Sequence, residues 1–226
     1  ARRTAWGKFI NAGQTCVAPD YVFVYEDQRA EFVEAVRLAV KRFYGDRPYE
    51  SPDYPRIIHQ EGTERLVRLI HSSGQVVVGG EVNVEEKYIA PTVLIDVEAD
   101  SPIMREEIFG PILPVLTYRE IDDVIRFVNK REKPLALYYF GPEQEAREVL
   151  NRTSSGGACV NDTIVHLANP RLPFGGVGMS GVGKYHGKAS FELFSNLRSV
   201  VKSFTFFDNP FRYAPYKCLN LLKRFM

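Results

Sequence analysis

One cysteine on a predicted turn is the strongest candidate for chemistry in this sequence. Cys16 lies within residues 9–20, which read FINAGQTCVAPD, between a helical pattern that Gly13 can end and residues 21–25 (YVFVY), which predict a strand. Backbone N–H groups of such a turn can face an oxyanion that forms beside the sulfur, which is the placement a nucleophile needs. The alternative is a small buried hydrophobe, the commoner role of a lone cysteine.

The residues around Cys16 resemble a known active-site segment. Residues 7–21, GKFINAGQTCVAPDY, are similar to the catalytic-cysteine segment of the aldehyde dehydrogenase superfamily, and the wording QTCVAPDY resembles the class 3 branch, which includes the fatty aldehyde dehydrogenases. Two further motifs follow in family order, and the resemblance extends to about residue 206. It implies that Cys16 is the catalytic nucleophile.

The second motif is EEIFGP at residues 106–111. Taken bare, it indicates a solvated acid beside a core aromatic. The family resemblance instead implies that Glu107 hydrogen-bonds the nicotinamide ribose hydroxyls of NAD or NADP and that Phe109 packs against the nicotinamide ring. Both roles suit the side chains. A carboxylate offers two acceptors for vicinal hydroxyls, and an aromatic ring limits the motion of the flat nicotinamide ring beside it.

The third motif, PFGGVGMSGVG at residues 173–183, contains a misleading pattern. Residues 176–181 satisfy GxGxxG, but no interior strand precedes them and no βαβ unit follows, so we reject a dinucleotide fingerprint. Dense glycines instead let backbone pass close to backbone or ligand. The stretch is similar to the class 3 C-terminal signature, which implies that Phe174 helps to wall the substrate tunnel. Residues 161–162 (ND) also resemble that class, without an assigned role.

Composition limits the remaining possibilities. The 226 residues are 45% hydrophobic with a net charge of +1, which indicates a globular chain without the basic face that nucleic acid requires. The three cysteines, Cys16, Cys159 and Cys218, form no CxxC pair, so we predict neither a disulfide framework nor a zinc site. We expect a reducing, cytoplasmic location. No apolar run reaches the roughly 20 residues of a membrane span.

Apolar periodicity predicts alternating helices and strands. Helical spacing marks residues 28–44, 61–71, 121–128, 142–150 and 189–194, and strands are predicted at residues 75–79, 92–96, 112–116, 135–140 and 158–160. In a first helix, before Gly13, Trp6, Phe9 and Ile10 would lie on one apolar face. Residues 117–120 have the spacing of a capping box, which predicts the start of the helix that follows. The sequence therefore predicts an α/β fold, with a mostly parallel sheet covered by helices on both faces, plus a C-terminal bridging strand and tail.

The predicted domains are a catalytic domain at residues 1–196, a bridging strand at residues 197–206 and a tail at residues 207–226. A late strand with no helix after it often pairs with another subunit, so we expect a homodimer through residues 197–206. The tail is expected to be a packing arm, with a weak membrane-surface helix as the alternative. Because the chain begins in mid-helix without an initiator methionine, we expect it to be part of a longer polypeptide. The resemblance implies that the N-terminal cofactor-binding domain is absent from this chain.

The implied reaction is oxidation of aliphatic or aromatic aldehydes to carboxylic acids with NAD(P)+. Cys16, as a thiolate, would attack the carbonyl to give a thiohemiacetal, and hydride loss would leave a thioester for hydrolysis. In the family, the glutamate base and the oxyanion-hole asparagine come from segments before the cysteine. We therefore expect this chain alone to be inactive.

Two alternatives from other classes remain open. A cysteine hydrolase, such as a thioesterase or esterase, would pair a cysteine with one histidine among His59, His71, His166 and His186. None of these lies in a distinctive motif, so each is expected to be exposed or satisfied elsewhere; Lys184 and Lys188 are expected to be solvated. The other alternative is a non-catalytic dimerisation module.

Overall fold

The structure is a computed structural model that describes residues 1–208 and 212–214, and the chain divides into two compact units, Ala1–Leu193 and Phe194–Met226. The helices of the first unit are α1 (Arg2–Phe9), α2 (Arg29–Tyr44), α3 (Gln60–Ser72), α4 (Ile121–Asn129), α5 (Glu143–Arg152), α6 (Val165–Ala168) and α7 (Gly187–Leu193). Its strands are β1 (Val22–Tyr25), β2 (Gln75–Val78), β3 (Val82–Asn83), β4 (Tyr88–Ile89), β5 (Thr92–Ile95), β6 (Ile112–Tyr118), β7 (Ala136–Tyr139) and β8 (Gly157–Val160).

The main sheet has four strands in the order β1-β6-β5-β2. Strand β6 pairs in parallel with both β1 and β5, whereas β2 joins β5 antiparallel at the edge. A separate parallel pair forms from β7 and β8, and the short strands β3 and β4 form an antiparallel hairpin that the sequence did not predict. The α/β class with a largely parallel sheet is confirmed.

Alternation along the strands divides the core into two layers. On one face, α1 and α2 pack against Val24, Val93, Leu113 and Val115. On the other, α3 packs against Leu94, Ile112 and Leu116. Because side chains of a strand point alternately to opposite faces, neighbouring residues of β5 and β6 enter different layers. The prediction of helices on both faces is confirmed.

Local details differ from the sequence prediction in two places. The capping box at residues 117–120 is wrong, because Thr117 continues β6 in register with Val24, and α4 begins at Ile121 without a side-chain cap. The shared face of α1 is also wrong in part: Phe9 is buried, but Trp6 and Ile10 are exposed. The other buried residues of α1, which are Thr4, Ala5, Gly7 and Lys8, are small or polar, and the helix packs against α2.

The second unit is described over residues 194–208 and 212–214, and it contains no strand there. The predicted strand at residues 197–206 is therefore wrong for the single chain. An isolated strand needs a hydrogen-bonding partner, and the described residues offer it none. The tail prediction for residues 207–226 falls mostly on residues 209–211 and 215–226, which lie outside the described residues. In the described part of the chain, no helix is both long and apolar enough to cross a bilayer.

A left-handed turn joins α1 to the Cys16 segment. Asn11, Ala12 and Gly13 have φ angles of 52°, 50° and 71°, a conformation that L-residues other than glycine adopt at a cost. A Cβ added at Gly13 would overlap the carbonyl oxygen of Gly110. The chain therefore passes backbone to backbone at this point, and the 106–111 loop lies directly against the segment that leads to Cys16.

We predict that Gly13→Ala destabilises the chain much more than Gly178→Ala. Gly178 shares a positive φ of 64°, but a Cβ there would meet only a flexible lysine carbon at 3.9 Å, so its substitution reports the conformational cost alone, about 1 kcal/mol. At Gly13 the overlap with backbone should add about 2 kcal/mol or more. Urea unfolding measures both, and equal losses would contradict the close backbone contact.

Candidate active site

Cys16 lies on a turn formed by residues 15–18, between the 3-10 turn Ile10–Gly13 and β1. The Ala18 N–H donates to the Thr15 carbonyl at 2.8 Å, which closes the turn. The Cys16 thiol is exposed. Within the described residues, the N–H groups of Cys16 and Val17 donate to no acceptor. The structure thus places the thiol on a turn between helix and strand, as predicted, with two free donors in the same turn.

Gln14 fixes the chain just before the cysteine. Its side-chain amide donates to the carbonyls of Asn11 and Arg56, both at 3.1 Å, and its side-chain oxygen accepts the N–H of Ile58 at 3.0 Å. The Asn11 side chain donates back to the Gln14 carbonyl at 2.9 Å. A side-chain amide whose oxygen and nitrogen are both hydrogen-bonded holds one orientation, so the residues that lead to Cys16 are tied to the 56–58 loop.

The loop that carries Glu107 and Phe109 is held against the Cys16 segment from two sides. Asp20 Oδ1 accepts the Ile108 N–H at 3.2 Å, and Arg65 on α3 donates to the Ile108 carbonyl at 2.5 Å. Together with the backbone contact at Gly13, these bonds fix the loop on both flanks of the cysteine. The structure therefore holds the loop that carries Glu107 and Phe109 against the segment that carries Cys16.

Glu107 and Phe109 are available to a ligand. Both are exposed, and among the described residues no donor hydrogen-bonds the Glu107 carboxylate. Phe109 has a φ of 47°, a left-handed conformation that is energetically unfavourable for a bulky residue. Its neighbours Ile108 and Gly110 are both held in place, the first by hydrogen bonds and the second by close packing. A free carboxylate and an open ring on a fixed loop fit the ribose and nicotinamide of NAD or NADP. Their roles in binding it stay predictions.

A buried lysine lies beneath this loop. Lys8 is completely buried, and its Nζ lies 3.9 Å from Asp20 Oδ1 without a hydrogen-bond acceptor in the described structure. Burial lowers the pKa of Lys8 to about 8 from an ordinary value of 10.5, although the Asp20 and Glu107 carboxylates oppose the shift. Burial also raises the pKa of Asp20, which Lys8 opposes, and raises the pKa of Glu107, which Asp20 reinforces. The charge on each of Lys8, Asp20 and Glu107 therefore affects the pKa of at least one of the others.

The structure pairs a histidine with a cysteine other than Cys16. Cys159 Sγ lies 3.2 Å from His166 Nδ1. Burial raises the pKa of the Cys159 thiol and lowers the pKa of His166, so the pair is a thiol and a neutral imidazole at neutral pH. No histidine among the described residues bonds Cys16, which removes the main support for a Cys16 hydrolase dyad. Cys218 lies outside the described residues.

The glycine-rich stretch folds onto itself rather than around a phosphate. Gly175 and Gly176 pass so close to Gly183 and Ser180 that a Cβ at either would overlap a carbonyl oxygen. The rejection of a dinucleotide fingerprint is supported, since the residues form a 3-10 turn, Gly178–Ser180, and in the described part of the chain the seven-residue α7 is the only helix that follows. The prediction that Lys184 is solvated is wrong: its ammonium donates to the carbonyls of Gly156 and Gly175, which the tight glycine turns leave pointing inward.

Phe174 is buried in an aromatic cluster. It forms an isolated bridge with Tyr185, and its ring contacts the rings of Tyr185, His186 and His166. The ring is only 9% exposed, so most of its surface serves packing, and substrate contact by Phe174 stays a prediction. Lys188, by contrast, is solvated as expected, at 3.3 Å from Glu192.

Residues 161–162, to which the sequence assigned no role, tie the ends of β7 and β8 together. The Asn161 side chain accepts the Gly141 N–H at 2.9 Å and donates to the Gly141 carbonyl at 3.0 Å. Asp162 Oδ1 accepts the N–H of Thr163 at 2.8 Å, and its other oxygen lies 3.8 Å from Arg3. Both residues therefore have structural roles in the described chain.

We predict that Lys8 makes stability depend on alkaline pH. Because its pKa is lower in the folded chain, the unfolded chain binds more protons between about pH 8 and pH 10.5, and the free energy of unfolding should rise with pH in this window. In Lys8→Met, which fills a similar volume, this rise should be absent, whereas Lys188→Met should follow the unsubstituted chain. Urea unfolding from about pH 7.5 to about pH 9.5 measures the slopes. Parallel slopes for Lys8→Met and the unsubstituted chain would contradict the burial of a charged Lys8.

Comparisons with known proteins agree with this arrangement. The aldehyde dehydrogenase family model matches residues 1–200. Aldehyde dehydrogenase family 3 member B1 of Rattus norvegicus is 50% identical over 98% of this chain and 48% of its own length, and the "Aldehyde dehydrogenase, dimeric NADP-preferring" of Mus musculus is 50% identical over 88% and 44%. A solved structure, the substrate-bound state of Staphylococcus aureus AldH, matches with a TM-score of 0.90 at 46% identity and covers 99% of this chain and 50% of that one. The chain spans about half the length of these relatives. It belongs to the aldehyde dehydrogenase family.

Proposed function

We propose that this chain is the catalytic portion of an NAD(P)-dependent aldehyde dehydrogenase that oxidises aliphatic or aromatic aldehydes to carboxylic acids. The observation that carries the proposal is the junction of two loops. The exposed Cys16 lies on one, and the other, with a free carboxylate at Glu107 and an open ring at Phe109, is anchored against it through Asp20 and Gly13. Oxidation of an aldehyde through a covalent adduct requires the nucleophile and the nicotinamide site to lie close together.

The chemistry at Cys16 begins with its thiolate. The sulfur attacks the aldehyde carbonyl, and the resulting oxyanion of the thiohemiacetal accepts hydrogen bonds from the free N–H groups of Cys16 and Val17. Collapse of the oxyanion expels hydride and leaves a thioester on Cys16, which water hydrolyses to the acid. No residue of this chain is assigned as the base for that step, since the family draws it from segments before the cysteine.

The cofactor, when bound, supplies the hydride acceptor. Glu107 would accept hydrogen bonds from the two hydroxyls of the nicotinamide ribose, and Phe109 would limit rotation of the ring. Because Arg65 and Asp20 hold the loop through the main chain of Ile108, the Glu107 carboxylate is left free for the ribose. The choice between NAD and NADP rests on residues outside these two loops.

Assembly as a homodimer through residues 197–206 is part of the proposal. Leu197, Val200, Val201 and Phe204 are exposed in the single chain, and a second copy would supply the strand partner that this segment lacks. Light scattering of the complete protein tests this, and a monomer at micromolar concentration would contradict it.

A hydrolase is not favoured. A cysteine hydrolase needs a base within hydrogen-bond reach of its nucleophile, and the one thiol–imidazole contact in the described chain belongs to Cys159. Cys159 is buried and stays protonated at neutral pH, so it offers little nucleophilic thiolate.

The test is an assay of NADH or NADPH formation from hexanal. It uses a longer polypeptide that contains this chain together with the other half that its relatives have. We predict that Cys16→Ser lowers kcat by roughly a thousandfold or more, because the nucleophile is lost, and that Cys159→Ser retains activity. The 226-residue chain alone should show little turnover. Substantial activity in Cys16→Ser, or turnover by the isolated chain close to that of the longer polypeptide, would contradict the proposal.

A further inference from the structure

Tyr138 connects β7 to the turn that carries the candidate nucleophile. Its hydroxyl donates to the Val17 carbonyl at 2.7 Å, across 121 residues of sequence. Its ring packs edge-on against His166, with centroids 5.9 Å apart. Burial raises the pKa of Tyr138 well above its ordinary value. The hydroxyl therefore keeps its proton at neutral pH and acts as a donor.

The bond to Val17 completes the hydrogen bonding of one peptide group. The peptide between Val17 and Ala18 has its carbonyl held by Tyr138 and its N–H held by the Thr15 carbonyl at 2.8 Å. A peptide group is planar, so fixing both polar atoms fixes its orientation. The preceding peptide, between Cys16 and Val17, joins the fixed one at the Val17 Cα, so its orientation relative to the fixed peptide depends on the φ and ψ angles of Val17 alone. Within the described residues, the N–H of this preceding peptide donates to no acceptor.

We propose that Tyr138 is a positioning residue for Cys16: by locking the Val17–Ala18 peptide, it aims the free N–H groups of the turn at the sulfur and at the oxyanion that forms on the substrate. The proposal rests on the proposed function, since it assigns Tyr138 a part in the same reaction. Preorganised donors of this kind act because they need no reorientation when charge develops. Without the Tyr138 hydroxyl, the peptide at residues 17–18 keeps only one of its two anchors, and the donors spread over several orientations.

The neighbouring residue supplies a matched control. Tyr139 follows on the same strand, and its hydroxyl donates to Glu145 Oε2 at 2.7 Å, on the opposite side from the Cys16 turn. Tyr138→Phe and Tyr139→Phe each remove one hydroxyl and one hydrogen bond from β7 and keep the ring. They differ in whether the bond reaches the Cys16 turn.

The experiment measures the rate of Cys16 alkylation by iodoacetamide as a function of pH on the 226-residue chain, followed by peptide mass spectrometry. We expect Tyr138→Phe to slow alkylation of Cys16 by about threefold to tenfold near neutral pH, the effect of one lost hydrogen bond. Tyr139→Phe should retain the profile of the unsubstituted chain. Identical profiles for the two variants would overturn the proposal, as would a change in Tyr139→Phe of the same size.

A measurement on the unsubstituted chain covers the case in which Tyr138→Phe does not fold. Tyrosine labelled with ¹³C at Cζ is placed at position 138 or at position 139, and its chemical shift is followed while Cys16 is alkylated. We expect the signal at position 138 to shift and the signal at position 139 to stay, because only the first hydroxyl is bonded to the turn. An unchanged signal at position 138 would overturn the proposal.

These readouts are independent of cofactor and of turnover. A chain in which Tyr138 governs Cys16 alkylation, but whose longer polypeptide oxidises no aldehyde, would reject the proposed function and keep the hydrogen-bonded turn. An active dehydrogenase whose Tyr138→Phe variant keeps kcat and the alkylation profile would do the reverse. In the active enzyme, Tyr138→Phe should lower kcat with little change in the KM for aldehyde, since the donors act on the oxyanion rather than on the bound substrate.

Discussion

The backbone contact between Gly13 and Gly110 is the constraint on which the site depends. Neither position has room for a side chain: a Cβ at Gly13 would overlap the Gly110 carbonyl, and one at Gly110 would overlap Leu66 of α3. The left-handed turn at residues 11–13 brings the chain to this contact at an energetic cost. As a result, the segment that leads to the cysteine turn and the Glu107 loop, which are far apart in sequence, are in direct backbone contact. Hydrogen bonds from Asp20 and Arg65 to Ile108 then fix the orientation of the loop.

Charge is distributed so that the exposed groups remain free to bind. Lys8 places a buried ammonium beneath the site, where Asp20 lies close enough to interact but not to form a short hydrogen bond. Burying a charge without a full set of partners is unfavourable, which is why the pKa of Lys8 falls to about 8. Arg65 bonds the main chain of Glu107 and Ile108 and pairs with Glu106, and Asp20 bonds the Ile108 N–H, so the Glu107 carboxylate stays available. The same division holds at Cys16, where the peptide at residues 17–18 is fully hydrogen-bonded and the N–H groups beside the sulfur are free.

Much of the fold could be predicted because its signals are local. The apolar stripe of α2 predicts a helix with one buried face, and the short apolar runs of β5 and β6 predict strands. Runs that are apolar at consecutive positions are typical of strands covered on both faces, which is where the two layers lie. The turn around Cys16 could likewise be located from the residues on either side of it. Signals failed where a distant contact decides the outcome: Thr117 was assigned to a helix cap because its pairing with Val24 is not visible in the sequence. The strand predicted at residues 197–206 failed for the same reason, since strand formation depends on a partner that a single chain does not supply.

The site shows the same limit more sharply. Cys16, Glu107 and Phe109 could be named from motifs, but the residues that hold them could not. Lys8, Gln14 and Asp20 lie within or beside the quoted cysteine segment, yet only the folded chain shows what they bind. Tyr138 gave no signal at all, because one tyrosine in an apolar strand resembles any other core residue.

A crystal structure of the longer polypeptide with NAD+ or NADP+ tests the central claim most directly. The account predicts density for the nicotinamide ring against Phe109, with its ribose at the Glu107 carboxylate and the Cys16 sulfur facing the ring. Nicotinamide bound elsewhere, with Glu107 and Phe109 turned to solvent and Cys16 enclosed by apolar side chains, would contradict it.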